Sequence, residues 1–146
     1  MELKLSFEEG LKKAGMPLVK LMVNGYEGYF LVDTGANVSH IDGEFAKEIG
    51  AKEIPSIVDI TTSLLGDSQV SHSYNVALTL GNICFTDVEC SEADFKPVNE
   101  SLKEYGLGMQ GIIGIPLMYI LHGVIDIENM TLTFRLPDVE QQSNNQ

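Results

Sequence analysis

The segment Tyr29–Ala36, with the sequence YFLVDTGA, is the most informative part of this 146-residue chain. Its first four residues are aromatic or branched apolar residues, which favour a buried β-strand. Asp33 follows that strand directly, and a carboxylate in such a place is costly to desolvate unless the protein uses it. Thr34 supplies a hydroxyl, and Gly35 permits a sharp turn and the close approach of another chain. The segment therefore predicts an acid held on the floor of a cleft.

The same residues also allow a simpler interpretation, in which Asp33 bonds to its own backbone in an ordinary turn that Thr34 and Gly35 complete. A second segment, Gly111–Leu117 with the sequence GIIGIPL, argues against that interpretation when the two are taken together. Its Ile-Ile-Gly run comes about 80 residues after Asp33. Alone, that run predicts only a buried strand that ends in glycine.

Together the two segments resemble the aspartic proteases, whose active-site signature is two apolar residues followed by Asp-Thr/Ser-Gly-Ala/Ser. The Ile-Ile-Gly run resembles the element that passes beside the catalytic loop in that fold and leads into a short helix. The order and spacing resemble the single-domain retroviral-type branch, the retropepsins, over roughly Leu18 to Phe134. The resemblance implies an all-β fold, a closed barrel-like acid protease domain with one or two short helices.

The rest of the chain independently predicts many short strands separated by turns. Asn24-Gly25 is a strong hairpin turn between Leu18–Val23 and Tyr26–Val32, because both turn residues tolerate positive φ. Asp42 can cap a short helix through Ile49, and Pro116 suits the first turn of another helix. Other predicted strands are Leu3–Phe7, Ile57–Leu64, Gln69–Leu80, Ile83–Cys90 and the hairpin Gly123–Ile127 with Thr131–Phe134. Glu8–Gly15 predicts a turn or one helical turn, and Ser91–Gly108 shows no clear pattern. This succession is typical of an all-β barrel.

Length and charge limit the class of protein. We expect one domain over residues 1–136, large enough for a sizeable core, and a disordered polar tail over 137–146. The net charge of −12 argues against nucleic acid and membrane surfaces as partners. No apolar run approaches the ~18 residues of a membrane-spanning helix. The first residues do not resemble a signal peptide, which predicts a cytoplasmic protein if the native chain begins here.

Histidine and cysteine give no sign of a metal or a disulfide. We expect Cys84 and Cys90 to remain reduced, because a core of this size does not need a covalent link. Ser39 and His40 are neighbours, so on a strand they would point to opposite faces and could not act as nucleophile and base. Metal-ligand spacing is lacking among His40, His72, His122 and the two cysteines, and we expect no cofactor.

Acid-pair peptide hydrolysis needs two carboxylates, one to take a proton from water and one to donate a proton to the substrate carbonyl. The sequence contains a single Asp-Thr-Gly. A symmetric homodimer would supply the second Asp33, and the resemblance implies the same arrangement. It also implies that the Thr34 hydroxyl bonds across the two-fold axis and that Gly35 and Ala36 border the substrate. We expect the dimer seam at Leu3–Phe7 or Thr131–Phe134.

The resemblance also implies a flap, a hairpin that folds over the substrate and controls access to the site. Its tip would be Leu65-Gly66-Asp67, although retroviral flaps usually carry several glycines and an ordinary hairpin is an alternative interpretation. Ile115-Pro116 differs from the polar residues that brace the retroviral dimer, so the dimer contacts must differ here. An extended substrate would pair with strand edges, and the apolar side chain of Ile113 would favour apolar residues beside the cut.

We therefore interpret the chain as a homodimeric aspartic endopeptidase that cuts a peptide or protein substrate with Asp33 and no metal. Two alternatives stay open. The same dimeric fold could hold peptides without cutting them. The predicted flap tip, which has one glycine where retroviral flaps usually have several, favours this alternative. A barrel that binds a small molecule would need an enclosed pocket rather than an open cleft.

Overall fold

The computed structural model of the protein describes residues 1–55, 60–62, 68–70 and 72–137. The flap tip predicted at Leu65-Gly66-Asp67 lies outside the described residues, and so does the predicted tail after Pro137. The strand predicted at Ile57–Leu64 is described only at 60–62.

The described residues form twelve β-strands and four α-helices. The strands are β1 (Glu2–Ser6), β2 (Leu18–Val23), β3 (Tyr26–Val32), β4 (His40–Asp42), β5 (Lys52–Ile54), β6 (Ile60–Thr62), β7 (Ser68–Val70), β8 (Ser73–Leu80), β9 (Ile83–Ala93), β10 (Gly111–Ile113), β11 (Gly123–Asp126) and β12 (Thr131–Arg135). The helices are α1 (Glu8–Ala14), α2 (Gly43–Glu48), α3 (Lys96–Leu102) and α4 (Ile115–Ile120), and a 3-10 turn covers Lys103–Tyr105.

The main sheet closes on itself. Its strand order is β2-β3-β10-β4-β9-β8-β5, and β2 also pairs with β8, so six strands form a closed barrel. Side chains alternate along these strands, and the inward ones, such as Phe30, Leu78 and Ile113, are fully buried. Cys90 lies in the same core, whereas Cys84 is exposed, and both are free thiols. The predicted all-β, barrel-like fold is confirmed.

A second sheet has the order β1-β12-β11. The antiparallel register places Leu3 opposite Phe134 and Leu5 opposite Leu132, and these side chains are buried in the main core. The final hairpin predicted from the sequence is therefore confirmed as β11 and β12. Strand β12 is the central strand of this three-stranded sheet. The edges of this sheet are β1 and β11.

The helices are more numerous than the one or two predicted. Asp42 caps α2 as predicted, because its Oδ2 accepts a hydrogen bond from the Phe45 amide at 3.1 Å. Two additional helices are α1, where the sequence predicted a turn or one helical turn, and α3, where the sequence showed no clear pattern. A second cluster outside the barrel explains α3, since Leu102 packs there with Phe95 and Met109. Within the described ranges, none of the helices has the length and apolar character needed to cross a membrane.

Candidate active site

Asp33 lies directly after the last residue of β3, in the middle of the barrel sheet. Its backbone amide donates to the Ile113 carbonyl at 3.1 Å, which extends the pairing of β3 with β10. Its carboxylate Oδ1 accepts a hydrogen bond from the Gly35 amide at 2.9 Å. Asp33 is half-buried, and Thr34 and Gly35 are exposed. The turn thus fixes an acid at the surface with one oxygen already oriented by the backbone.

The strand β10 makes this arrangement possible by fitting closely between β3 and β4. It pairs in parallel with β3, with Gly111 opposite Phe30, and antiparallel with β4, with Gly111 opposite Ile41. A Cβ atom at Gly111 would lie 2.5 Å from the Phe30 ring and 2.6 Å from the His40 carbonyl oxygen. Only glycine fits here without a shift of the neighbouring strand.

The start of α4 braces the loop that carries Asp33. The Gly114 amide donates to the buried Ser39 hydroxyl at 3.0 Å, and the Ile115 amide donates to the Ala36 carbonyl at 2.8 Å. The Ala36 amide in turn donates to the Asp33 carbonyl at 3.2 Å. Loop and helix therefore form one hydrogen-bonded unit. The role of Ser39 was not anticipated, because its partner is 75 residues away in the sequence.

Ile112 and Ile113 point to opposite faces of the sheet. Ile113 is 0 % exposed and belongs to the barrel core, so its side chain does not reach the surface beside Asp33. This corrects the predicted contact between Ile113 and a substrate: the contribution of Ile113 to the site is its carbonyl oxygen. Ile112 is half-buried and packs, with Leu31, against the second apolar cluster outside the barrel, which contains Leu102. Two adjacent isoleucines on a strand alternate, and the sequence alone does not say which one faces inward.

His40 is a titratable neighbour of Asp33 that the sequence did not reveal. It lies on β4 opposite Ile112. Burial lowers the pKa of His40, although the nearby Asp33 carboxylate acts in the opposite direction. The imidazole is therefore neutral at neutral pH and does not offer Asp33 a positive charge.

Four of the predicted site residues, Asp33 to Ala36, come together in one loop, with the Ile113 carbonyl beside it. The described strands β6 and β7 pair antiparallel, with Ile60 opposite Val70 and Thr62 opposite Ser68. This pairing is the hairpin in which the flap tip was predicted. The tip residues themselves lie outside the described part of the chain.

An Asp-Thr-Gly turn at the end of a central barrel strand, supported by an Ile-Ile-Gly strand that enters a short helix, defines a retropepsin-like aspartic protease fold. A sequence model of the family described as "Aspartyl protease" matches residues 19–117, about two thirds of the chain. The chain belongs to the aspartyl protease family.

Comparison with solved structures gives the same fold. The chain is similar to a retropepsin-like aspartic protease from Rickettsia conorii, with 16 % identity, a TM-score of 0.52 and coverage of 92 % of this chain and 90 % of that one. It is also similar to the retroviral protease-like domain of Ddi1 from Leishmania major, with 16 % identity, a TM-score of 0.53 and coverage of 84 % and 96 %.

A third similar structure is EIAV protease in complex with the inhibitor HBY-793, with 15 % identity, a TM-score of 0.51 and coverage of 77 % of this chain and 93 % of that one. At these identities the likeness concerns the fold. Among curated protein sequences there is no match to this chain.

Proposed function

We propose that the protein is an aspartic endopeptidase that acts as a homodimer with one Asp33 from each chain. The observation that carries this proposal is the Asp33 carboxylate, which a backbone amide orients at the end of a central strand and which solvent can reach. The chain belongs to the aspartyl protease family, and this membership supports a role for Asp33 in peptide hydrolysis.

The reaction uses the two carboxyls as one unit. Two carboxyls about 3 Å apart cannot both ionise, so the pair holds one proton. The ionised member takes a proton from the attacking water, and the protonated member donates its proton to the carbonyl oxygen of the substrate. Because the chain contains a single Asp-Thr-Gly, the second carboxyl comes from a two-fold related copy. The peptide lies extended between the copies, beside Gly35 and Ala36.

The second copy must lie against a surface that reaches Asp33, and the structure revises our expectation for that surface. The predicted seam at Thr131–Phe134 is excluded as a pairing edge, because β12 already pairs with β1 on one side and β11 on the other. The predicted seam at Leu3–Phe7 remains an edge strand, but its apolar side chains are buried against its own core. Neither segment offers exposed apolar area for a partner.

A better surface is formed by α4, β11 and the turn after it, which we call the α4–β11 face. Tyr119 is 80 % exposed, Ile127 is 67 % exposed, and Val124 is 41 % exposed. Helix α4 packs beside β11, and a group of exposed apolar residues on neighbouring elements marks an interaction surface. The first residue of α4, Ile115, bonds to the Asp33 loop at Ala36, so the face is continuous with the site. We propose that a second copy of the chain covers it.

Replacing Ile127 by Lys is expected to weaken dimerisation by at least tenfold, since a charge would have to be desolvated in an apolar contact. Activity should fall in parallel at low protein concentration and recover as the concentration rises. Sedimentation velocity and a cleavage assay over a concentration series measure both effects.

The matched control is Tyr26→Lys. Tyr26 is also a large exposed residue, at 54 %, but it lies at the start of β3, at the opposite end of that strand from Asp33. Equal dimer affinity for the two variants would place the seam elsewhere. A fully active monomer at high micromolar concentration would remove the need for a dimer.

Thr34 gives a second test of assembly. If its exposed hydroxyl bonds across the axis, Thr34→Val should weaken the dimer, whereas Thr34→Ser should be nearly silent. A buried polar group left unpaired costs ~1–3 kcal/mol, and a symmetric dimer contains two such sites. Dissociation constants from sedimentation equilibrium compare the three proteins. Indistinguishable values for the Val variant and the unmodified protein would show that Thr34 does not brace the dimer.

The function itself is tested by digestion of a peptide library at several pH values, with Asp33→Asn as the inactive control. Cleavage by the unmodified protein and none by the variant supports the proposal. Peptide binding by both proteins without cleavage by either would favour the peptide-holding module instead.

A further inference from the structure

An open groove lies beside the loop that carries Asp33. It runs between that loop, β9 and α4, and its volume is about 510 Å³. The loop contributes Asn37 and Val38, which follow Asp33 by four and five residues. The groove is therefore joined to the candidate active site through the loop itself.

Two kinds of surface meet in this groove. One wall is apolar and consists of Val38 with Leu117 and Ile120 of α4. The other wall comes from β9, where Asp87 and Glu89 are exposed and occupy alternate positions on the strand. Asp87 has a left-handed backbone, with φ of 59°, next to an irregularity in the β8–β9 pairing, and its Oδ1 accepts a hydrogen bond from the Asn75 side chain at 3.3 Å.

The described residues that line the groove carry negative charge and no positive charge. Among the described residues that line it there are two carboxylates and no lysine, arginine or histidine. The chain as a whole adds a net charge of −12. An acidic, partly apolar groove of this kind attracts a cation and discriminates against an anion.

We propose that the groove binds a lysine or arginine side chain of the peptide substrate, at a position that flanks the bond to be cut. This inference rests on the proposed peptidase function. The aliphatic stem of the basic side chain packs on Val38, Leu117 and Ile120, and its charged end meets Asp87 and Glu89. An extended peptide advances about 3.3 Å per residue, so a substrate beside Asp33 reaches the groove within a few residues of the cut. The substrates of this protein are therefore basic peptides.

The test uses peptides that differ at one flanking position, which carries Lys, norleucine or Glu, with the position moved along the peptide. Norleucine keeps the apolar stem and removes the charge. The unmodified protein should cleave the Lys peptide with a kcat/KM about tenfold above that of the norleucine peptide at one position, and the Glu peptide more slowly still. Added salt should reduce the preference for Lys, because these carboxylates are exposed.

The double variant Asp87→Asn/Glu89→Gln should reduce the Lys-to-norleucine ratio of kcat/KM to about one. We expect about a threefold loss for each carboxylate, as is usual for exposed charge pairs. The matched control is Glu44→Gln/Glu48→Gln on α2, which removes the same charge from exposed positions outside the groove. A Lys preference that survives in the double variant, or that the control removes equally, would overturn the proposal.

Binding separates this proposal from the peptidase function. Fluorescence anisotropy of the same peptides on Asp33→Asn protein reports the groove without cleavage. A Lys preference in binding that the double variant removes supports the groove even if no peptide is cut, and in that case the proposed peptidase function fails alone. Cleavage with no preference for Lys overturns the groove and leaves the function intact. Absence of both binding and cleavage overturns both.

Discussion

Asp33→Asn is expected to abolish peptide cleavage at every pH, with a loss of at least about 10³-fold in kcat/KM. An amide neither takes a proton from the attacking water nor donates one to the carbonyl as a carboxyl does. In a homodimer the substitution removes both members of the pair. The fold should persist, because the Asn side-chain oxygen can still accept the hydrogen bond that the Gly35 amide donates at 2.9 Å.

The measurement is a fluorogenic peptide assay with circular dichroism and thermal unfolding of the same samples. The unmodified protein should show a bell-shaped pH dependence with an optimum on the acidic side of neutral, since the fully protonated pair lacks a base and the fully ionised pair lacks a proton to donate. Asp94→Asn is the matched control, because Asp94 is exposed and its carboxylate accepts a hydrogen bond from the Lys96 amide, outside the site. Cleavage by Asp33→Asn, or activity that a chelator removes, would contradict the aspartic mechanism.

The parts of the fold that the sequence predicted correctly are those in which the deciding contacts are local. The Asn24-Gly25 turn requires positive φ at adjacent residues, and both have it, at 50° and 84°. Asp42 bonds to an amide three residues later, and Pro116 lies in the first turn of α4. In each case the residue and its partner are close in the sequence, so a short pattern contains the whole interaction.

The parts that were missed depend on contacts between distant segments. Ser39 supports the loop that carries Asp33 only because Gly114 lies beside it in the fold. Helix α3 forms because Leu102 packs in an apolar cluster made by other elements. Likewise, β12 has no free pairing edge, because β11 pairs with one side of it and β1, from the other end of the chain, pairs with the other side. No short pattern contains such pairings, and tertiary packing overrides local propensity at these positions.

The second large effect is expected from a substitution at Gly114. A side chain there is opposed by short contacts with neighbouring atoms and not by the backbone dihedral angles. Its φ of −85° and ψ of 170° suit any residue, so alanine is not excluded by the backbone itself. A Cβ atom would, however, lie 2.5 Å from the Val38 carbonyl oxygen and 3.0 Å from that of Ala36. Both contacts are with backbone, which cannot rotate away as a flexible side chain can. Gly114→Ala must therefore push the Asp33 loop and α4 apart.

We expect Gly114→Ala to destabilise the protein by about 1–3 kcal/mol, as overpacking usually does. It should also lower kcat/KM by roughly 100-fold, because displacing a catalytic group by about 1 Å has that effect. Urea unfolding and peptide cleavage measure the two losses. Gly28→Ala on β3 is the matched control, since a Cβ there meets its nearest neighbour at an ordinary 3.4 Å. If the two variants were equally stable and equally active, the Gly114 contacts with the loop would not be what holds Asp33 in place.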